Sequence, residues 1–140
     1  TIDGGWGVDA LVGHQNRDHG DLDLVVKLAE IEAVLATLHE LGFALHLDLR
    51  PTRIVARNAE GRWVDLHPVE FDAEGIGWQR GAGPEGSDCP YPADGFAEGT
   101  IAGQTVPCLS AGLQVAHHQG YKPTEKDRHD LELVHALLPG

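Results

Sequence analysis

The sequence predicts an α+β fold, a mixed β-sheet flanked by helices and closed by C-terminal helices. Three observations predict it. Stretches that alternate apolar and polar interleave with helical-period stretches along the first part of the chain. Two helical stretches come last. No repeat, low-complexity tract or linker interrupts the 140 residues, so a single domain over 1–140 is expected.

The elements follow in order. Ile2-Asp3 can end a strand, and Gly4-Gly5 follows it. Trp6 to Leu11 suits a short helix that stops near Gly13. Asp21 to Lys27 alternates and then turns apolar, which predicts a strand. Leu28, Ile31, Val34, Leu35, Leu38 and Leu41 fall on one helical face, with Gly42 as the stop. Phe43, Leu45, Leu47 and Leu49 alternate, which predicts a strand with these four on one face. Residues 53–57 and 62–66 predict a hairpin around Asn58-Ala59-Glu60-Gly61. The stretch from Pro68 to Gly95 is rich in glycine and proline and reads as a long loop. Thr100 to Cys108 predicts a second hairpin through Gly103-Gln104. Ser110 is a good N-cap for one helix. Pro123-Thr124 opens another that carries Leu131, Val134 and Leu138 on one face.

Composition narrows the class. Hydrophobic residues make up 41% and charged residues 23%, ordinary values for a soluble globular protein. No apolar run approaches the roughly 20 residues of a membrane helix, so a cytoplasmic protein without membrane contact is expected. Ten basic residues against 22 acidic ones give a net charge of −12, which argues against nucleic acid as a partner. That charge favours a cationic small molecule, or serves solubility alone. Cys89 and Cys108 lack the Cys-x-x-Cys spacing of a zinc site and read as structural thiols.

The chemistry centres on acids. Asp21 and Asp23 are two apart on a predicted strand, so both carboxylates point to one side while Leu22 and Leu24 point to the other. Two adjacent carboxylates repel, and a hard divalent cation resolves the repulsion. By itself the pair also fits a solvent-facing strand end. Asp65 shares a face with Trp63 and His67 on another predicted strand. If the two strands are neighbours, three carboxylates converge, enough for two metals or for one metal and a general base. Gly4-Gly5 permits close backbone approach to phosphates, although no P-loop or Gly-x-Gly-x-x-Gly pattern is present.

Taken in order, Gly4-Gly5-Trp6-Gly7-Val8-Asp9-Ala10 and Arg17-Asp18-His19-Gly20-Asp21-Leu22-Asp23-Leu24 resemble the signature of the antibiotic nucleotidyltransferases, within the DNA polymerase β-like superfamily. The likeness is to the aminoglycoside 2''-adenylyltransferase and lincosamide nucleotidyltransferase branch. Trp63 to Pro68, Ser87 to Pro90, Gly99 to Gly103, Val106 to Cys108 and Tyr121 to Leu131 extend it over nearly the whole chain. A helix that precedes the Gly-Gly turn in that family has no counterpart in this sequence.

The resemblance implies a nucleotidyltransferase fold and transfer of a nucleoside monophosphate, AMP from ATP, to a hydroxyl of a lincosamide or aminoglycoside, with release of pyrophosphate. It implies magnesium on Asp21, Asp23 and Asp65, with Asp65 as general base or remaining ligand. Gly4, Gly5, Arg17, His19, Lys122 and Lys126 are the candidates for contact with the triphosphate; Lys126 can instead pair with Asp130 one helical turn on. Asp127 either reaches a partner near the nucleotide or caps its helix with Thr124. His117 and His118 are packing or acceptor-contact residues. Trp6, Trp63 and Tyr91 can each stack on a base or a sugar, with core packing the favoured role for Trp6 and Trp63. The enzyme is expected as a monomer or homodimer. The alternatives are a metabolite or protein acceptor, or an inactive nucleotide-binding module.

Overall fold

A computed structural model describes residues 1–118 and 123–138. The strands and helices are β1 (Ile2–Asp3), α1 (Gly4–Val12), β2 (Asp21–Lys27), α2 (Ile31–Glu40), β3 (Ala44–Leu49), β4 (Arg53–Arg57), β5 (Trp63–Phe71), β6 (Gly77–Gln79), β7 (Cys89–Tyr91), β8 (Phe96–Ile101), β9 (Gln104–Leu109), α3 (Ala111–His117) and α4 (Glu125–Leu137). Contacts divide them into two units, one of Thr1–His19 with the chain from Asp94 onward, the other of Gly20–Ala93.

The first unit contains a small mixed sheet. β1 runs parallel to β9, with Ile2 opposite Cys108, and β9 pairs antiparallel with β8. Asp3 caps α1 by accepting from the Gly4 amide, and α1 ends at Gly13, as its sequence predicts. Val8, Ala10, Leu109, Leu113 and Val134 are buried apolar residues of this unit. α1 lies so close to β8 that a Cβ on Gly99 would sit 2.3 Å from the Ala10 carbonyl oxygen. Gly99→Ala should therefore cost about 1–3 kcal/mol of stability through forced displacement; an unchanged urea midpoint would rule out that close approach.

Both closing helices start where the sequence places their caps. Ser110 Oγ accepts from the Leu113 amide at 3.2 Å. Thr124 and Asp127 form a reciprocal capping box, so Asp127 takes the capping alternative. Its carboxylate also lies 3.6 Å from His118 Nε2.

The second unit is a mixed sheet in the order β3-β4-β5-β2, with β5 parallel to β2 and the other neighbours antiparallel. Its apolar face buries Ile54, Ala56, Val64 and Leu66 against Ile31 and Leu38, with Leu22, Leu24 and Val26 packed beside them. This explains the alternation read in β2 and β5: the core takes one side of each strand and leaves the acids on the other.

Two expectations change here. The four apolar residues from Phe43 to Leu49 do not share one face. A bulge between Leu45 and Leu47 puts Leu45 opposite Ala56 of the core and Leu47 opposite Val55 on the acid-bearing side. One extra residue reverses the side of everything after it. The predicted loop from Pro68 to Gly95 also contains structure. β5 continues to Phe71, and its end pairs with β6, which pairs with β7. Asp72 organises the intervening turn: its carboxylate accepts from the Glu74 and Ile76 amides and from the Trp78 indole, which together hold its pKa below the usual range, the indole bond first. Among the described residues no helix is long and apolar enough to cross a membrane.

Candidate active site

The acids of the second unit are brought together by register. Parallel pairing of β2 with β5 sets Asp21 beside Trp63, Asp23 beside Asp65 and Val25 beside His67. The facing pair Asp23 and Asp65 thus carries two carboxylates on the side opposite the core. Asp23 Oδ1 lies 3.1 Å from His67 Nε2. Asp65 is buried, and Arg53 on β4 grips it with both prongs, Nε to Oδ1 at 2.9 Å and Nη2 to Oδ2 at 2.6 Å. The Asp65 hydrogen bond raises the Arg53 pKa above its ordinary value, with smaller contributions from the charges of Asp65, Asp23 and Asp21.

Among the described residues, Asp23, Asp65 and His67 form a group whose ligand atoms all lie within 4.8 Å of one another. Two carboxylates suit a hard divalent cation, so this donor set fits magnesium, with Asp23 and Asp65 as the oxygen donors. Asp21 is exposed and lies one step along the same strand face, outside that group. Arg53 supplies positive charge beside these acids. Arg53→Gln should lower stability by about 1 kcal/mol in chelator, a figure kept small by the exposure of Arg53, and magnesium should restore part of the loss. Equal melting of variant and wild type in chelator would count against this shielding role.

The first unit holds the other candidates. A Cβ on Gly5 would lie 2.5 Å from both Arg17 Nη2 and His19 Nδ1, so a residue without a side chain is required there. Arg17 makes a two-pronged ion pair with buried Asp130, at 3.1 and 2.8 Å. His19 Nε2 sits 2.5 Å from Asp9 Oδ2, and its ring tilts against Trp6 at 4.7 Å between centroids. The His19 side chain is only 1% exposed. The structure places His19 beneath the surface, in contact with Asp9 and Trp6. Asp130 receives Arg17, where the sequence offered Lys126 as its partner; Lys126 is exposed near the start of α4. Lys122 lies outside the described residues.

Three aromatic and thiol expectations also resolve. Trp63 is 37% exposed, with Arg57 over its ring at 5.7 Å and His46 at its edge, so it is not a core residue. Tyr91 is buried, with its hydroxyl donating to Gln79, so it offers no face for stacking on a base. Cys89 and Cys108 form no disulfide, and burial pushes the Cys108 thiol pKa up.

Comparison with known proteins decides the family. The model of the aminoglycoside-2''-adenylyltransferase family matches residues 1–134. The chain belongs to that family. A lincosamide resistance protein of Staphylococcus haemolyticus is 33% identical over 136 residues, 97% of this chain and 83% of the relative. A 2''-aminoglycoside nucleotidyltransferase of Escherichia coli is 31% identical over 117 residues, 78% of this chain and 56% of the relative. The lincomycin-bound crystal structure of the lincosamide antibiotic adenylyltransferase LnuA superposes with a TM-score of 0.83 at 31% identity, covering 98% of this chain and 85% of LnuA. The structure of ANT(2'')-Ia with adenylyl-2''-tobramycin, at 22% identity and a TM-score of 0.73, covers 99% of this chain and 78% of that one, and shares the fold. The α+β architecture with its mixed sheets and C-terminal helices is thus the nucleotidyltransferase fold.

For this family member, sequence reasoning missed Arg53, His67 as a partner of Asp23, Gln79, and the burial of Asp9 and Asp130 against His19 and Arg17. Arg53 had a usable signal. In the predicted hairpin it lies two residues before Val55, the partner of Asp65, which puts it on the same face as Asp65 and diagonal to it. The Arg17–Asp130 pair had none, because 113 residues separate its members.

Proposed function

We propose that the chain transfers a nucleoside monophosphate, AMP from ATP, to a hydroxyl of a lincosamide- or aminoglycoside-like acceptor and releases pyrophosphate. The observation that carries this reading is the facing Asp23–Asp65 pair, flanked by Arg53 and His67. The named activities of the relatives support the chemistry, and the net charge of −12 suits a cationic acceptor. The match of one family model to both units supports treating residues 1–140 as one functional domain.

Magnesium, held by Asp23 and Asp65 with Asp21 beside them, would neutralise charge on the phosphates. The chain's own groups divide the remaining work. Asp65 accepts the proton of the attacking hydroxyl or completes the metal set through the lone pairs that the Arg53 fork leaves open. Gly4 and Gly5 let backbone approach the phosphates. Arg17, Lys122 and Lys126 supply positive charge toward the leaving pyrophosphate; for Arg17 this means exchanging Asp130 for phosphate. His19 contributes by holding Asp9.

The test is pyrophosphate release with magnesium, each nucleoside triphosphate in turn, and a panel of lincosamides and aminoglycosides. Release that requires both ATP and an antibiotic acceptor is expected. No release with any acceptor would contradict the reading and favour a binding module or a different acceptor class.

A further inference from the structure

Behind the acids, on the side of β6 and β7, lies a chain of polar groups that the transfer chemistry does not use directly. The buried Tyr91 hydroxyl donates to Gln79 Oε1 at 2.8 Å. Gln79 Nε2 donates to the Thr52 carbonyl at 2.7 Å and meets His67 Nδ1 at 3.3 Å. His67 Nε2 meets Asp23 Oδ1 at 3.1 Å. All of these residues belong to the second unit.

The direction of each bond follows from what its ends can do. A carbonyl oxygen only accepts, so the group of Gln79 that faces Thr52 must be its NH2. That fixes Oε1 toward Tyr91, which can donate to it. The second hydrogen of the same NH2 is then available to His67 Nδ1, which must accept. A neutral imidazole with an accepting Nδ1 carries its proton on Nε2. That proton points at Asp23, whose carboxylate can only accept. Reversing the Gln79 amide would set two oxygens against each other at Thr52, and the Nδ1-protonated tautomer would set a lone pair against the carboxylate at Asp23.

We propose that Gln79 and Tyr91 are positioning residues, which hold His67 with its proton on Nε2 and through that proton fix the orientation of the Asp23 carboxylate. The proposal deepens the function above and rests on Asp23 being the metal-binding acid. The burial of Gln79 and Tyr91 suits them to this task, since neither can reach a substrate. Outer partners that orient a ligand's donor atoms typically change metal affinity or activity by about 10–100-fold when removed.

The test uses the whole chain and two readouts. Long-range nitrogen–proton NMR on the wild type, at a pH where imidazoles are neutral, identifies the His67 tautomer; the signals lost in His67→Asn assign it. Manganese binding, followed by the electron paramagnetic resonance of the free ion, reports on Asp23 without any substrate. The wild type should show His67 protonated on Nε2. Gln79→Leu should mix the tautomers and weaken manganese binding about tenfold. Tyr91→Phe, which keeps the ring, should weaken it by less. A wild-type proton on Nδ1 would overturn the proposal. So would a Gln79→Leu variant that keeps the wild-type tautomer and binds manganese within twofold of the wild type. If manganese binds neither protein, the metal reading itself fails, while the tautomer measurement still decides whether Gln79 directs His67.

Discussion

Asp23→Asn is expected to reduce turnover by on the order of a thousandfold or more while the protein remains folded. The substitution keeps size and shape and leaves an oxygen able to accept from His67, so the local hydrogen bond survives. What disappears is one negative charge from a facing pair of carboxylates. If that pair exists to hold a cation, its charge is needed for chemistry and is a burden on the apo fold. Thermal stability in chelator should therefore hold steady or rise slightly as turnover collapses. A surface acid with no catalytic task would show the reverse, with activity kept and stability little altered. Retained turnover in Asp23→Asn would remove it from the metal site.

Asp9→Ala should have a large effect on stability. Asp9 is buried on α1, with Oδ2 at 2.5 Å from His19 Nε2 and Oδ1 at 3.3 Å from the Asn16 amide. Removing it leaves a buried imidazole without its partner and takes one of two acceptors from the Asn16 amide, and an unsatisfied buried polar group costs about 1–3 kcal/mol. Against a typical total of about 5–15 kcal/mol that is a large fraction. Asp9→Asn keeps an acceptor oxygen and should lose less. Urea denaturation measures both. An unchanged midpoint in Asp9→Ala, with only the KM for ATP raised, would instead return His19 to the role of a phosphate contact.

The contrast between these two acids shows what was legible. Asp21, Asp23 and Asp65 could be read because strand alternation assigns each to a face, and β2 and β5 follow that alternation. The helix ends at Gly13, Ser110 and Thr124 were legible because capping is local chemistry. Asp9 and Asp130 were not legible, because their burial depends on partners that only the folded chain brings near. The bulge in β3 was hidden for a related reason: Leu45, Leu47 and Leu49 alternate in sequence, and nothing local marks the residue at which the pairing slips. The burial of His19 was not legible either, because Asp9 and Trp6 hold it under the surface and neither is a neighbour in sequence.

The most direct test of the central claim is the mass of the acceptor after incubation with the protein, ATP and magnesium. With lincosamides and aminoglycosides offered separately, at least one should return heavier by a single AMP in the presence of the wild type, and unchanged in the presence of Asp23→Asn. An acceptor mass that never changes with the wild type, or that changes equally with the variant, would contradict the account.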